Sequence, residues 1–404
     1  MGSTESGKNT VSAPSCVERA ATKLETNMNL ENIRKEFPVT NEIIFFDHAR
    51  VAPLPERVRK VVTAFVDDAT RFGTAHYETW MLELERTRKK FANLINANID
   101  EVAFVKNTSE GISIVANGLD WKQGDNVVIP DIEFPANVYP WWNLKQKGVE
   151  TRMVKSIEGR VLFDDLVKNI DDRTRILSIS SVECNSGFRS NLNRLGAFCK
   201  ERGILFFVDA IQSLGVLPMD VKKDHIDFLS ADGHKWMLSV EGLGGFYISQ
   251  NVVDQIRPVT MGWGNVINAE NFMDYDFTLK KDAKKFEEGS PNTMSIHAFG
   301  AALGLLLEVG IDNIEKRVIR LGDFIISELS RRDIKIYSST ELNERSGNIS
   351  FTLEKDISQL YLFMFNNNIK LTVRDGLVRL SPHFYNNEDE VLKVFDLLDN
   401  FLKK

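Results

Sequence analysis

Two ionisable residues stand where apolar runs end. Asp209 closes the run 204–208 (ILFFV), and Lys235 follows 227–230 (DFLS) in Ala231-Asp232-Gly233-His234-Lys235-Trp236. A carboxylate at the end of a buried strand is costly unless it faces a cation or several donors. The spacing leaves two arrangements open: a direct Asp209–Lys235 ion pair, or both groups facing one cavity. A third segment, Lys106-Asn107-Thr108-Ser109-Glu110-Gly111, follows 101–105 (EVAFV) and opens a helix. The free N–H groups at such a start, with the Thr108 and Ser109 hydroxyls, suit a phosphate. Polar residues also follow 175–180 (RILSIS), as Ser181-Val182-Glu183-Cys184-Asn185, and follow Asp209, as Ala210-Ile211-Gln212. Open parallel sheets bind ligands beyond the carboxyl ends of their strands, so these four segments converge on one site.

Composition narrows the chemistry. The 404 residues carry 50 Lys+Arg against 57 Asp+Glu, a net charge of −7, with no basic stripe, so nucleic acid is not expected as a partner. The three cysteines, Cys16, Cys184 and Cys199, have no paired spacing, which argues against a disulfide framework and for a reducing compartment. No apolar run reaches the length of a membrane span, and the start of the chain lacks the apolar segment of a secretory signal, so a cytoplasmic location is expected. The six histidines show no metal-binding spacing. Gly242-Leu243-Gly244-Gly245 and Gly262-Trp263-Gly264 do not follow the first strand of a βαβ unit and read as turns or loops. Lys280, Lys281, Lys284 and Lys285, interrupted by Asp282, read as a solvated face.

The elements that must position the site alternate short β-branched or aromatic runs with helical patterns, the mark of βαβ units. Strands are expected at 101–105, 126–129, 175–180, 204–208 and 227–230. Runs as apolar as ILFFV belong to strands covered on both faces. Helices are expected over 190–202, capped by Asn191 with Cys199 in its core stripe, and over 296–309, closed by Gly310. Strands at 348–353 and 377–381 and a helix at 388–402 complete the chain. The expected organisation is a mobile leader (1–30), a large domain (31–295) whose first segment leans on the small domain, and a small domain (296–404). The fold class is α/β: three layers with a mainly parallel central sheet, plus a smaller α+β C-terminal domain.

The segment FFVDAIQSLGVLPMDVKKDHIDFLSADGHKW resembles the cofactor-binding core of class V aminotransferase-fold enzymes, which use pyridoxal phosphate (PLP) and include cysteine desulfurases and isopenicillin N epimerases. FFDHARVAPLP, KNTSEG, IEFPANVYPW, KKFEEGSPN and VRLSPHFYNN extend the resemblance from about residue 37 to 400. It implies the PLP-dependent transferase fold type I. Lys235 is then the Schiff-base lysine and the base at Cα, a use that suits an amine whose pKa falls on burial. Asp209 pairs with the pyridinium nitrogen and supplies the cation that the buried carboxylate needs. Gln212 donates to the phenolic oxygen of PLP, and Thr108, Ser109 and His234 contact its phosphate. Ser290 reaches the phosphate of the partner subunit in a homodimer. Phe134 stands where related desulfurases stack a histidine on the ring; it can stack but cannot exchange protons. Arg379 grips the substrate α-carboxylate in a bidentate fork. His48, with Arg50 beside it, and Asn137 fall on the substrate side.

Two departures from the pattern matter, the loop before Arg379 and Asp232. Desulfurases carry a nucleophilic cysteine in the loop before the arginine, whereas Thr372-Val373-Arg374-Asp375-Gly376 has none, which disfavours persulfide chemistry. Cys184 aligns with a ligand-facing position but reads as a small buried residue. Asp232 replaces a phosphate-binding serine and is expected to turn away or to orient His234. The resemblance implies a PLP enzyme acting at the Cα of an amino acid, with transamination first because it needs only Lys235, epimerisation or β-elimination next, and a PLP-fold binding module as the non-enzyme alternative. Trp141, Trp142 and Trp263 fit either an apolar pocket or a subunit seam.

Overall fold

In the computed structural model, residues 30–403 are described; the expected leader and Cys16 lie outside them. The apolar runs become buried strands. β1 is Ile44–Phe45, β2 Val102–Val105, β3 Asn126–Pro130, β4 Glu150–Val154, β5 Thr174–Ser180 and β6 Leu205–Asp209. β7 is Phe228–Asp232, β8 Gly244–Ile248, β9 Ile349–Phe351, β10 Ile369–Lys370, β11 Thr372–Arg374 and β12 Leu377–Leu380. Seven of them form one sheet in the order β2-β8-β7-β6-β5-β3-β4. All its pairings are parallel except the two made by β8.

Alternation along the buried strands supplies two separate cores. Phe206 and Val208 of β6 face one core, with Phe91, Leu195 and Phe299 from helices Tyr77–Leu94, Leu192–Arg202 and Thr293–Val309. Leu205 and Phe207 face the other, with Ile112 and Trp141 from helices Thr108–Gly118 and Tyr139–Trp142. The result is the expected three-layer arrangement, each buried large side chain contributing about 1.5–3 kcal/mol. Asn191 does cap its helix, accepting from the Arg194 N–H at 3.0 Å, and Cys199 is buried there.

Helix Thr293–Val309 packs on helices Glu56–Phe72 and Tyr77–Leu94, in the large core. The expected boundary at 295/296 therefore cuts through a large-domain helix. The third core begins along helix Ile311–Arg331, whose Leu321, Ile325 and Leu329 pack with Phe351, Val378 and Phe395 beneath the antiparallel sheet β11-β12-β9. β1 pairs in parallel with β10, so the start of the large region is physically attached to the small one.

Two surface readings are corrected. Gly244 and Gly245 lie within β8 rather than in a turn; a Cβ on Gly245 would come within 2.2 Å of the Phe91 ring. Lys285 is buried, its Nζ donating to the Val253 carbonyl at 2.6 Å, because the short helix Ala283–Phe286 folds back on the sheet. No single helix among the described residues is long and apolar enough to cross a membrane.

Candidate active site

The carboxyl ends of β2, β5, β6 and β7 open on one cavity of about 670 Å³, closed on its other side by β11, β12 and the loop after β1. Thr108, Ser109, Phe134, Asp209, His234, Lys235 and Arg379, all expected at the site, line it. Asp209 is 2% exposed, and its Oδ1 accepts the Ile211 N–H at 3.0 Å. Burial pushes its carboxyl up to about 6, an effect that the Ile211 bond and the charge of Lys235 only partly offset. No cation among the described residues comes within ion-pair distance of it. Of the two arrangements left open by spacing, the shared cavity is therefore the one adopted. Burial draws Lys235 below the usual lysine range, against the opposing influence of Cys184 and Asp209. Its Nζ lies 5.6 Å from the centroid of the Phe134 ring, itself 39% exposed.

Helix Thr108–Gly118 begins at the cavity wall. Asn107 caps it, its Oδ1 accepting from the Glu110 N–H at 3.0 Å. Thr108 Oγ1 accepts from the Asp232 backbone N–H at 3.1 Å, which seats the helix start against β7. Gly111 permits that approach, since a Cβ there would fall 2.2 Å from Ser230 Oγ. Asp232 does not turn away: it lines the cavity, with Oδ1 2.9 Å from His234 Nδ1 but out of hydrogen-bond alignment.

Arg379 is 7% exposed and placed by β12. Nη1 donates to the Cys184 carbonyl at 2.7 Å and lies 3.5 Å from Cys184 Sγ. Nη2 reaches Thr372 Oγ1 at 3.5 Å and stands 3.7 Å from Asp47 Oδ1. Nε is buried without a partner. Cys184 lines the cavity and is only half-buried, contrary to the expectation of a packed core residue.

Other expected residues lie elsewhere. His48 is fully buried behind the cavity: Nδ1 donates to the Ser381 carbonyl at 2.8 Å, and Nε2 accepts from the Tyr385 hydroxyl at 2.7 Å. Burial holds its pKa well below the usual histidine value, so it is a neutral structural group and not a substrate contact. Its neighbours Ala49 and Arg50 line the cavity instead. Asn137 is also buried, accepting from Ser178 Oγ at 2.6 Å and Trp141 Nε1 at 2.9 Å. Gln212 lies outside the cavity lining: its Nε2 donates to the Ala49 carbonyl at 3.0 Å, and its Oε1 accepts from Trp236 Nε1 at 3.0 Å. Both amides are drawn into the wall because backbone and indole partners there need them. Ser290 is exposed and outside this chain's cavity. Trp141 is core, Trp142 and Trp263 are exposed, and none lines the cavity.

Two acids stand behind the site: Glu133, which the sequence reading did not single out, and Glu183, which it placed in the polar segment after 175–180 without giving it a role. Glu133 accepts from Ser180 N and, at 2.6 Å, Ser180 Oγ; burial pushes its carboxyl to about 8, with Asp209 adding to the rise. Glu183 is buried with neither oxygen partnered among the described residues, and burial, with Glu133 next in effect, holds it well above the usual range. Asp47, which faces Arg379, was also missed. Its signal was present: FFD ends an apolar run just as FFVD does at Asp209.

These residues fit PLP. Asp209 is a buried acid lacking a cation, Lys235 is a desolvated amine on the same cavity, a capped helix start offers N–H donors, and Arg379 keeps an orphaned Nε.

Comparison with known proteins agrees. The family model Aminotransferase class-V matches residues 44–394. A probable cysteine desulfurase of Pyrococcus abyssi is 30% identical, covering 92% of this chain and 98% of the relative. An uncharacterized aminotransferase of Bacillus subtilis is 26% identical over 91% of this chain and 96% of its own. The solved apo cysteine desulfurase of Thermococcus onnurineus superposes with a TM-score of 0.85 at 25% identity, over 92% of this chain and 98% of that one. A cystine C-S lyase solved with cysteine persulfide shares the fold, with a TM-score of 0.82 and 21% identity over 90% and 99% of the two chains. With the matched region running from β1 into the last helix, and the amine, acid and arginine on one cavity, the chain belongs to the class V aminotransferase family of PLP-dependent enzymes.

Proposed function

We propose that this enzyme moves a proton at the Cα of an amino acid and that the outcome is transamination. The observation that carries the reading is that Lys235, Asp209 and Arg379 open on the same cavity while Lys235 is the only lysine lining it among the described residues. Bound PLP supplies the electron sink for charge developing at Cα. Asp209 would hold a proton on the ring nitrogen of PLP, and the helix start at Thr108 and Ser109, with His234, would hold its phosphate. Arg379 orients the substrate through its α-carboxylate, fixing the Cα–H bond for Lys235 Nζ to take the proton and return it. Phe134, on the cavity wall beside Lys235, would stack on the ring of PLP.

Assistance to a departing sulfur is poorly provided. Phe134 carries no proton, and the hairpin of β11 and β12 carries no thiol. These two features support the reading of transamination over C–S cleavage, although several relatives are named as desulfurases. The test mixes the yellow holoenzyme with an amino-acid panel. Release of a 2-oxo acid with loss of the yellow colour supports the reading. Sulfide or persulfide from cysteine or cystine with the colour retained would put a lyase in its place, and solvent deuterium at Cα without oxo acid would put an epimerase there.

A cytoplasmic homodimer is part of this reading. Phe272, Met273, Tyr275 and Phe277 are exposed in one segment, an apolar surface suited to a second copy, and Ser290 lies downstream of it on a loop that would complete the partner's phosphate site. Sedimentation at micromolar concentration should give twice the chain mass, and a monomer would refute it.

A further inference from the structure

We propose that the substrate carries an acidic group at the end of its side chain and that Arg50 reads it; this rests on the function proposed above. Five basic side chains line the cavity, Arg50, His234, Lys235, Arg374 and Arg379, against the acids Asp209 and Asp232. The proposed chemistry employs three of them: Lys235 at the aldehyde, Arg379 at the α-carboxylate and His234 at the phosphate. Arg374 and Arg50 remain. Arg374 Nε is 3.0 Å from Asp375 Oδ2, its neighbour on the hairpin. Arg50 is exposed at the cavity and has no hydrogen bond, ion pair or ring contact from its side chain among the described residues. A guanidinium in that state presents its whole donor fork to a ligand.

The backbone around Arg50 is held firmly. On one side Gln212 Nε2 donates to the Ala49 carbonyl at 3.0 Å, and on the other the Ala52 N–H donates to the His234 carbonyl at 2.8 Å. The Arg50 N–H itself donates to the Asp47 carbonyl at 3.1 Å. The loop therefore presents Arg50 from a fixed point between the lysine strand and the arginine strand, which lowers the ordering cost of binding. Gln212, expected at the cofactor, becomes a positioning residue for this loop. The fitting substrate is a dicarboxylic amino acid: its α-carboxylate goes to Arg379 and its side-chain carboxylate to Arg50.

The isosteric pairs aspartate/asparagine and glutamate/glutamine test this with holoenzyme. The wild type should favour the acid over its amide in kcat/KM by about tenfold or more, as expected for a charge-assisted bond. Arg50→Gln should collapse that ratio toward one, and rising salt should erode it because Arg50 is exposed. A second readout needs no turnover: calorimetric affinity of the holoenzyme for succinate and glutarate should exceed that for butyrate, and the difference should vanish in Arg50→Gln. A wild type indifferent between acid and amide, or an unchanged ratio in the variant, overturns the inference. If no amino acid reacts at all, the catalytic reading fails by itself and the calorimetry still decides: equal affinity for dicarboxylates and butyrate overturns the role of Arg50.

Discussion

Arg379 donates to the carbonyl oxygen of Cys184 across 2.7 Å, joining β12 of the small sheet to the loop after β5 of the large one. The bond fixes one Nη of the guanidinium and leaves Nε unused and buried. If Arg379 holds the substrate carboxylate as proposed, that binding uses a planar donor geometry that a lysine does not offer. For Arg379→Lys we expect cofactor absorbance to persist while kcat/KM falls about a hundredfold, mostly through KM. Normal saturation in that variant would remove Arg379 from substrate binding.

Asp209 gives a pH-dependent prediction. Its folded pKa of about 6 lies above the ordinary 3.8 because the group is buried. The folded chain thus binds that proton more tightly; the stabilisation is complete below about pH 4 and is lost as pH rises through 6. Cofactor-free Asp209→Asn should melt higher than cofactor-free wild type at pH 7.5 and equal to it near pH 4, while the holoenzyme loses activity by about a hundredfold or more. Equal melting temperatures at pH 7.5 would contradict the buried, unpaired state of Asp209.

Glu133 works in a higher window. Its pKa is about 8 against an ordinary 4.5, so its contribution is complete below about 4.5 and fades as pH rises through 8. Melting temperature should drop by several degrees between pH 7 and 9. Glu133→Gln, which keeps an acceptor for Ser180, should flatten that drop, whereas an unaltered profile would place the titration elsewhere.

His48 separates a structural role from a substrate role. His48→Ala breaks the bonds to Ser381 and Tyr385 and opens a cavity, so stability should fall by about 2–4 kcal/mol. KM for the substrate should stay within about threefold, and a much larger rise would restore His48 to the binding site.

Legibility followed chemistry that is local in sequence. Strand-ending Asp209, Lys235 after β7 and the Thr108 helix start could be seen because each follows an apolar run, and the structure brings them to one cavity. β8 was missed because its glycines mimic a turn until Phe91 is known to press on Gly245. Gln212, Asn137 and His48 were expected in the site on the family resemblance; what draws them into the wall is partners distant in sequence, Ala49, Ser178 and Tyr385. Lys285 shows the same limit, since nothing in KKDAKK announces the carbonyl of Val253.

The stretch from β1 to Ala52 is a short tether with both ends tied. One end is a strand partner of β10, and the other hangs from the His234 carbonyl, one residue before the amine. The pairing with β10 and the bond to the His234 carbonyl thus link the C-terminal sheet region to the turn carrying Lys235 through one short stretch of backbone.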